Sequence, residues 1–294
     1  MRAFLPTRPV NVRSTRYEQK DVTVHDMRLR YIDVRPQRGL ADSETLLLIH
    51  GLTSRIEEYD DLVPLLSQNR RVLVVDLPGS GYSDKPNRAY SLGFYEDTLL
   101  GFLDALNVER SHLGGGSLGG NLVLRLGKRE PERFDHLVAW APAGAWEPAR
   151  WMARVGRLLG GKTLFWPTVW GQSHFWYEPS WPGRREALRE TFAYYKEVLS
   201  GGFIRMYWDL ALEQIEQSLF GLAPDLKQPT LLGWGDRDHG MNMGAGVRRL
   251  RELIPRSELK IFPGARHSLA NEVPGPLAAS IDEFLRRDAL RQRS

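Results

Sequence analysis

Gly114-Gly115-Gly116-Ser117-Leu118-Gly119-Gly120 is the stretch on which the reading of this chain turns. An apolar-tending segment precedes it, and Asn121-Leu122-Val123-Leu124-Arg125-Leu126, which follows, reads as a helix. A strand that runs directly into a helix must turn sharply. Glycine at Gly115 and Gly119 leaves room for that turn, while the serine between them takes a strained backbone. A serine at such a corner projects its hydroxyl into a cleft, beside the first free N–H groups of the helix. A nucleophile needs that placement.

To either side of this corner the chain alternates between strands and helices. Val22 to Val34 alternates and turns near Asp26, as an antiparallel hairpin at a sheet edge does. Thr45-Leu46-Leu47-Leu48-Ile49 and Arg71-Val72-Leu73-Val74-Val75 are short continuous apolar runs, the habit of strands covered on both faces. Glu57 to Ser67 carries helix-spaced apolar residues. Ser91 to Leu106 reads as a capped helix with Leu92, Tyr95, Leu99, Phe102, Leu103 and Leu106 on one face. Phe134 to Ala141, Pro229 to Trp234 and Leu259 to Phe262 supply further strands, with helices near Gly246 to Leu253 and over Pro276 to Arg286. The alternation predicts an α/β fold with a mostly parallel, doubly wound sheet.

Between Pro142 and Pro224 the texture changes. Seven tryptophans (Trp146, Trp151, Trp166, Trp170, Trp176, Trp181 and Trp208) fall there without any β-rich run. This predicts an aromatic-rich helical insertion over residues 144–224, lying on the carboxyl edge of a core built from 1–143 and 225–294.

With 294 residues the chain is long enough for such a domain plus an insertion. Hydrophobic residues at 42% and charged residues at 26% are ordinary for a soluble protein, and no run approaches the roughly 18 apolar residues of a membrane span. Met1 to Arg16 lacks a signal-like apolar core, so the expected compartment is the cytoplasm. Cysteine is absent, which excludes disulfide and thiolate chemistry. The net charge of +4 is spread among acids rather than gathered on one stripe, which argues against a nucleic-acid partner.

A serine hydroxyl needs a base, and the base needs an orienting carboxylate. Two loops offer them, each just after a strand: Trp234-Gly235-Asp236-Arg237-Asp238 and Pro263-Gly264-Ala265-Arg266-His267. Sites in open α/β sheets form at the carboxyl ends of strands, so both loops can converge on Ser117. Leu52, in His50-Gly51-Leu52, and Leu118, after the serine, are placed to offer backbone N–H groups to an oxyanion.

Leu47-Leu48-Ile49-His50-Gly51, Asp76-Leu77-Pro78-Gly79-Ser80-Gly81-Tyr82-Ser83, Gly115-Gly116-Ser117-Leu118-Gly119, Gly235-Asp236-Arg237-Asp238 and Gly264-Ala265-Arg266-His267 together resemble the α/β-hydrolase superfamily. The type resembled is the single-chain one with a cap between the sixth and seventh core strands. The resemblance implies a triad of Ser117, Asp238 and His267, with Asp238 rather than Asp236 as the acid. His239-Gly240 departs from the family pattern, which has an apolar residue or proline there. Serine at the elbow, where dehalogenase-like and epoxide-hydrolase-like relatives have aspartate, implies acyl chemistry. Relatives that cleave carbon–carbon bonds of ring-fission products also use serine, but commonly with Asn before it and Trp after the histidine; here Gly116 and Ser268 stand in those places. Members that have become ligand receptors usually lose or slow the triad.

Gly114 to Gly119 also fits the dinucleotide pattern, but the strand ending Trp140-Ala141-Pro142 lacks the ribose-binding acid. No histidine spacing suggests a zinc site. The expectation is a serine esterase without cofactor or metal, acting on a small ester with apolar groups. Its expected substrate contacts are Gly51 and Gly116 beside the nucleophile and Trp146, Trp166 and Trp170 from the insertion.

Overall fold

The alternating segment forms the expected hairpin, β1 (Lys20–Val24) pairing antiparallel with β2 (Met27–Val34). His25 and Asp26, at φ 50° and 61°, are the two left-handed residues that a type I′ turn demands. The computed structural model describes residues 15–36, 44–240 and 243–291. The amino-terminal stretch read for a leader therefore lies outside the described residues up to position 14. β3 (Thr45–Ile49), β4 (Arg71–Val75), β5 (Ser111–Gly116), β6 (Phe134–Trp140), β7 (Thr230–Gly235) and β8 (Ser257–Phe262) are mutually parallel. With β2 antiparallel to β4, the sheet has 8 strands in the order β1-β2-β4-β3-β5-β6-β7-β8.

Both faces of the parallel strands are buried. Leu47, Ile49, Leu73 and Val75 pack with α2 (Leu92–Ala105), α3 (Leu118–Arg129) and α8 (Met243–Leu253). Leu46, Leu48, Val72 and Val74 pack with α1 (Val63–Leu66) and the closing helix (Pro274–Arg291). Each such side chain contributes about 1.5–3 kcal/mol on leaving water. Ser91 caps α2 as its position suggests, its Oγ accepting the Phe94 N–H at 3.1 Å.

The apolar spacing over Glu57 to Ser67 does not become one helix. The segment is a 3₁₀ turn (Ile56–Tyr59) followed by the single α-turn α1. Pro64 has no N–H to give to the preceding turn, and its ring crowds the carbonyl four residues back.

The start of that segment is held instead by a buried ionic network. Asp76, wholly buried, accepts Arg30 Nε at 2.6 Å, the Ile56 N–H at 2.8 Å and the Tyr82 N–H at 2.7 Å. Arg30 also donates to both oxygens of Glu57, at 3.0 and 2.9 Å. Burial opposes the guanidinium charge, but Asp76 and Glu57 outweigh it and keep Arg30 protonated. Strand β2 and the loops that follow β3 and β4 are thus tied to one carboxylate.

β3 lies between β4 and β5, so the winding of the sheet reverses there, and the carboxyl ends of β3 and β5 flank the reversal. His50 to Thr53 leave β3 and Ser117 leaves β5, set level by the Ile49–Gly115 register.

Four helices lie between β6 and β7: α4 (Arg150–Leu159), α5 (Lys162–Trp176), α6 (Arg184–Val198) and α7 (Gly201–Glu216). Phe165 meets Tyr195, Phe203 and Tyr207 edge-on at their centre. The end of α5 bonds to a loop at the carboxyl edge of the sheet, with Ser268 N–H on Trp176 O (3.1 Å) and Arg266 Nη1 on His174 O (2.7 Å). No helix among the described residues is long and apolar enough to cross a membrane.

Asp76→Ala leaves Arg30 and two backbone N–H groups without their acceptor in the interior. The expected loss is about 3–5 kcal/mol, read as a lower midpoint in urea unfolding at unchanged slope. A loss below about 1 kcal/mol contradicts this account of the network.

Candidate active site

Ser117 sits at φ 55° and ψ −118°, a left-handed conformation that a non-glycine residue holds only at a cost of about 1–3 kcal/mol. Its own backbone is pinned on both sides. Its N–H donates to Trp140 O at 3.1 Å, and its carbonyl accepts the N–H groups of Asn121 and Ala143 at 3.0 Å each. The helix α3 then runs so close to β3 that a Cβ on Gly119 would lie 1.8 Å from Ile49 O. Only glycine fits there. Leu118 is the first residue of α3, so its N–H has no partner within the helix.

His267 Nδ1 lies 2.8 Å from Asp238 Oδ2, and the Asp238 side chain is almost wholly buried. The carboxylate accepts the Nδ1 proton, which leaves the lone pair on Nε2. Burial disfavours the imidazolium, but the charge and hydrogen bond of Asp238 outweigh it, with Glu58 and Glu272 adding to them. The result is a pKa above the ordinary histidine value. Asp236 is exposed and engaged elsewhere, its Oδ1 accepting the Gly264 N–H at 2.7 Å. His239 is exposed at the cavity edge, and Gly240 N–H donates to Asp238 Oδ1 at 3.3 Å.

The loop after β3 is set by two relays. Leu77 N–H donates to His50 Nε2 at 3.0 Å, so the buried imidazole carries its proton on Nδ1 and gives it to Gly51 O at 2.7 Å. Ser54 N–H also donates to Gly51 O, at 3.1 Å. Because the peptide is planar, the Leu52 N–H points the opposite way. Thr53 Oγ1 donates its one proton to Leu52 O (2.6 Å), so the Tyr195 hydroxyl, also 2.6 Å away, is the donor to Thr53. Burial pushes the Tyr195 phenol up to about 12, which keeps that proton in place.

Ser117, His267 and Asp238 line one cavity of about 640 Å³ together with Gly51 and Leu52. Leu118 is buried behind the wall, and Gly116 is covered by Trp140 rather than lining the cavity. Trp146 lines the cavity, its Nε1 donating to Gln214 O at 3.0 Å. Trp166 and Trp170 do not. Trp166 stacks on Phe192, and Trp170 is exposed beside His174. The aromatic wall comes from Phe175, Trp176, Tyr177, Tyr194, Tyr195 and Tyr207, more from α6 and α7 than the sequence texture suggests. Arg55, Glu58 and Glu190 line it too. Nothing in the sequence singled them out, although Glu58 follows the His50-Gly51 motif closely. Among the described residues no cluster of three or more His, Cys, Asp or Glu side chains is arranged to hold a metal ion.

A doubly wound sheet with a serine on a strained strand–helix corner and an Asp-held histidine on the neighbouring edge defines a class, the α/β hydrolases. A sequence profile of the alpha/beta hydrolase fold matches residues 44–272, and the chain belongs to that family. It is 26% identical over 263 residues to a 2-hydroxymuconate semialdehyde hydrolase of Pseudomonas sp. (strain CF600), spanning 82% of this chain and 86% of that one. It is 35% identical over 244 residues to the dihydrolipoyllysine-residue acetyltransferase component of the acetoin cleaving system of Pseudomonas putida, spanning 82% of this chain and 63% of that one. A bacterial membrane phospholipase A of known structure superposes with a TM-score of 0.74 at 26% identity, covering 93% of this chain and 86% of that one.

A base must be neutral to accept a proton. Because the His267 pKa is raised, the imidazolium persists above the ordinary value of about 6.5, so kcat/KM should fall as pH drops through a point above 6.5. Glu58→Gln removes one acidic neighbour and should move that limb to lower pH, as a pH series of kcat/KM will read. A limb unmoved by the substitution excludes electrostatic coupling between Glu58 and His267.

Proposed function

We propose that this chain is a serine hydrolase that cleaves carboxylic esters bearing apolar groups through an acyl-enzyme. The reading rests on one observation: a serine in a strained corner and a histidine held by a buried aspartate open onto the same aromatic-walled cavity. In this reading His267 Nε2 takes the Ser117 proton as Oγ attacks the ester carbonyl carbon. Asp238 keeps the imidazole in the tautomer that can do so and stabilises the imidazolium. The oxyanion rests on the N–H groups of Leu52 and Leu118, each of which typically contributes about 10²–10³ in rate. The C–O bond then breaks, and the alcohol leaves with the proton from His267. Water, deprotonated by the same histidine, attacks the acyl group and returns Ser117.

Residues 144–224 act as a cap in this reading, and the tyrosines and tryptophans on its inner side take the apolar part of the substrate. No cofactor or metal enters the steps.

Hydrolysis of a carbon–carbon bond in a ring-fission product is the second reading, supported by the likeness to the 2-hydroxymuconate semialdehyde hydrolase. The residue before the serine weighs against it. A Cβ on Gly116 would fall 2.2 Å from Trp140 Nε1, so the asparagine common in such enzymes has no room here.

Ser117→Ala should lower ester turnover by on the order of 10⁶, as removal of a triad serine does in subtilisin. Residual turnover within tenfold of wild type rejects the nucleophile. A panel of p-nitrophenyl esters of rising chain length, run beside a ring-fission dienoate, separates the two reactions. The expected result is steady-state turnover of an ester in preference to the dienoate, and faster dienoate cleavage replaces the ester reading with the other. Labelling of Ser117 by a fluorophosphonate without turnover of any of them would indicate a receptor rather than an enzyme.

A further inference from the structure

Helix α4 is built inside out. An ordinary surface helix turns its large apolar side chains to the core and its polar ones to water. In α4 the inward face is made of small residues. Ala149 N–H bonds to Ile215 O at 2.9 Å, Ala153 is wholly buried, and a Cβ on Gly156 would meet Leu212 Cδ2 at 2.3 Å. The close seat on α7 leaves the large residues outside. Trp151, Val155, Leu158 and Leu159 recur at helical spacing along the outer face, with Trp151 70%, Leu158 85% and Leu159 61% exposed. Every large hydrophobic residue exposed among the described residues lies between Trp151 and Phe175, in α4 and α5. Scattered exposed leucines need no explanation, but an aligned row gathered in one segment does.

Within this stretch of sequence the charge has one sign. Arg150, Arg154 and Arg157 follow the same spacing one residue earlier, which makes a basic stripe flanking the apolar one, and Lys162 opens α5. From Pro148 to Tyr177 there is no aspartate or glutamate. Arg157 meets Glu216 of α7, while Arg150 and Arg154 are exposed. A helix with an outward apolar face of Trp and Leu beside a stripe of arginines is the composition of helices that lie in a bilayer interface. The aromatic ring sits at the headgroup level, and the guanidinium groups reach anionic phosphates.

We propose that α4, with the adjoining start of α5, docks this chain peripherally onto an anionic lipid surface. A second copy fits the face less well. In a two-fold dimer the same patch meets itself, which sets the arginine stripes of the two copies against each other with no acid in the segment to answer them. Phe175, which is 55% exposed and also lines the cavity, carries the apolar character of this segment to the cavity mouth. The inference does not depend on which bond Ser117 attacks, because its test reads binding rather than turnover.

The test is co-sedimentation of the full chain with vesicles of phosphatidylcholine, alone or with roughly one-third phosphatidylglycerol. The expected result is retention on the mixed vesicles, release as salt is raised, and little retention on phosphatidylcholine alone. Leu158→Asp should weaken retention at least tenfold, and Arg154→Gln on the order of fivefold, each with an unchanged thermal midpoint because both side chains are exposed. No retention on the mixed vesicles overturns the proposal, as does retention indifferent to Leu158→Asp. Sedimentation velocity supplies the competing outcome: a dimer that Leu158→Asp dissolves would assign the face to a second copy.

Discussion

The approach of α3 to β3 is the constraint on which the rest of the site depends. Gly119 lies so close to the Ile49 carbonyl that no side chain fits between helix and strand. A helix placed there cannot be reached from β5 by a relaxed turn, so the residue at the corner takes the strain, and Ser117 is that residue. Three backbone hydrogen bonds hold it against relaxation. The same closeness brings the first free N–H of α3 alongside the loop that leaves β3. The strain, the free N–H and the placement of the hydroxyl are thus consequences of one packing distance.

The residues that face that corner arrive on loops that ion pairs help to hold. Glu178, between α5 and α6, accepts Arg237 at 2.9 Å and Arg266 at 3.2 Å. These arginines immediately precede Asp238 and His267 along their loops, Arg237 by one residue and Arg266 by one. One carboxylate from the helical insertion therefore sets two loops from different strands, and Glu272 joins them by accepting the Arg266 and Glu178 N–H groups. Asp76 does the same for the opposite wall. The helical insertion and the sheet edge are one electrostatic assembly, in which the imidazole sits among several carboxylates and its proton affinity rises accordingly.

How much of this the sequence disclosed follows from how local each feature is. Short apolar runs, the Ser91 cap and the glycine-flanked serine are set by nearest neighbours, and all are legible. Asp238 is separable from Asp236 only through the family resemblance, because what distinguishes them lies on another loop: His267 Nδ1 donates to Asp238 and the Gly264 N–H to Asp236. The broken helix after Arg55 depends on Pro64 and on a carboxylate that lies after β4. The cavity wall was the least legible part. α5 is apolar nearly all round, so spacing alone does not say which of its tryptophans face in, and Trp166 is drawn away by stacking on Phe192 from α6. The inverted α4 shows the same limit from the other side: an apolar stripe marks a face to be covered, and the cover need not be the protein's own core.

Trp140 links the interior to the chemistry of the floor. Its carbonyl accepts the Ser117 N–H, its indole fills the space over Gly116, and its ring packs edge-on against Tyr59, 5.9 Å between centroids. The Tyr59 hydroxyl in turn holds Ile49 O at 2.9 Å, the carbonyl against which Gly119 is pressed. A polar side chain at position 116 would have to displace the indole and disturb every member of this ring of contacts. The floor beneath the serine is therefore committed to glycine, and polar recognition beside the hydroxyl must come from the walls. Arg55 stacked on Tyr194, Glu58 near the Gly51 N–H and the Tyr195–Thr53 relay are among the polar groups there. The residues of those walls, from Thr53 to Glu58 and on the inner sides of α5, α6 and α7, can change without touching the strained corner.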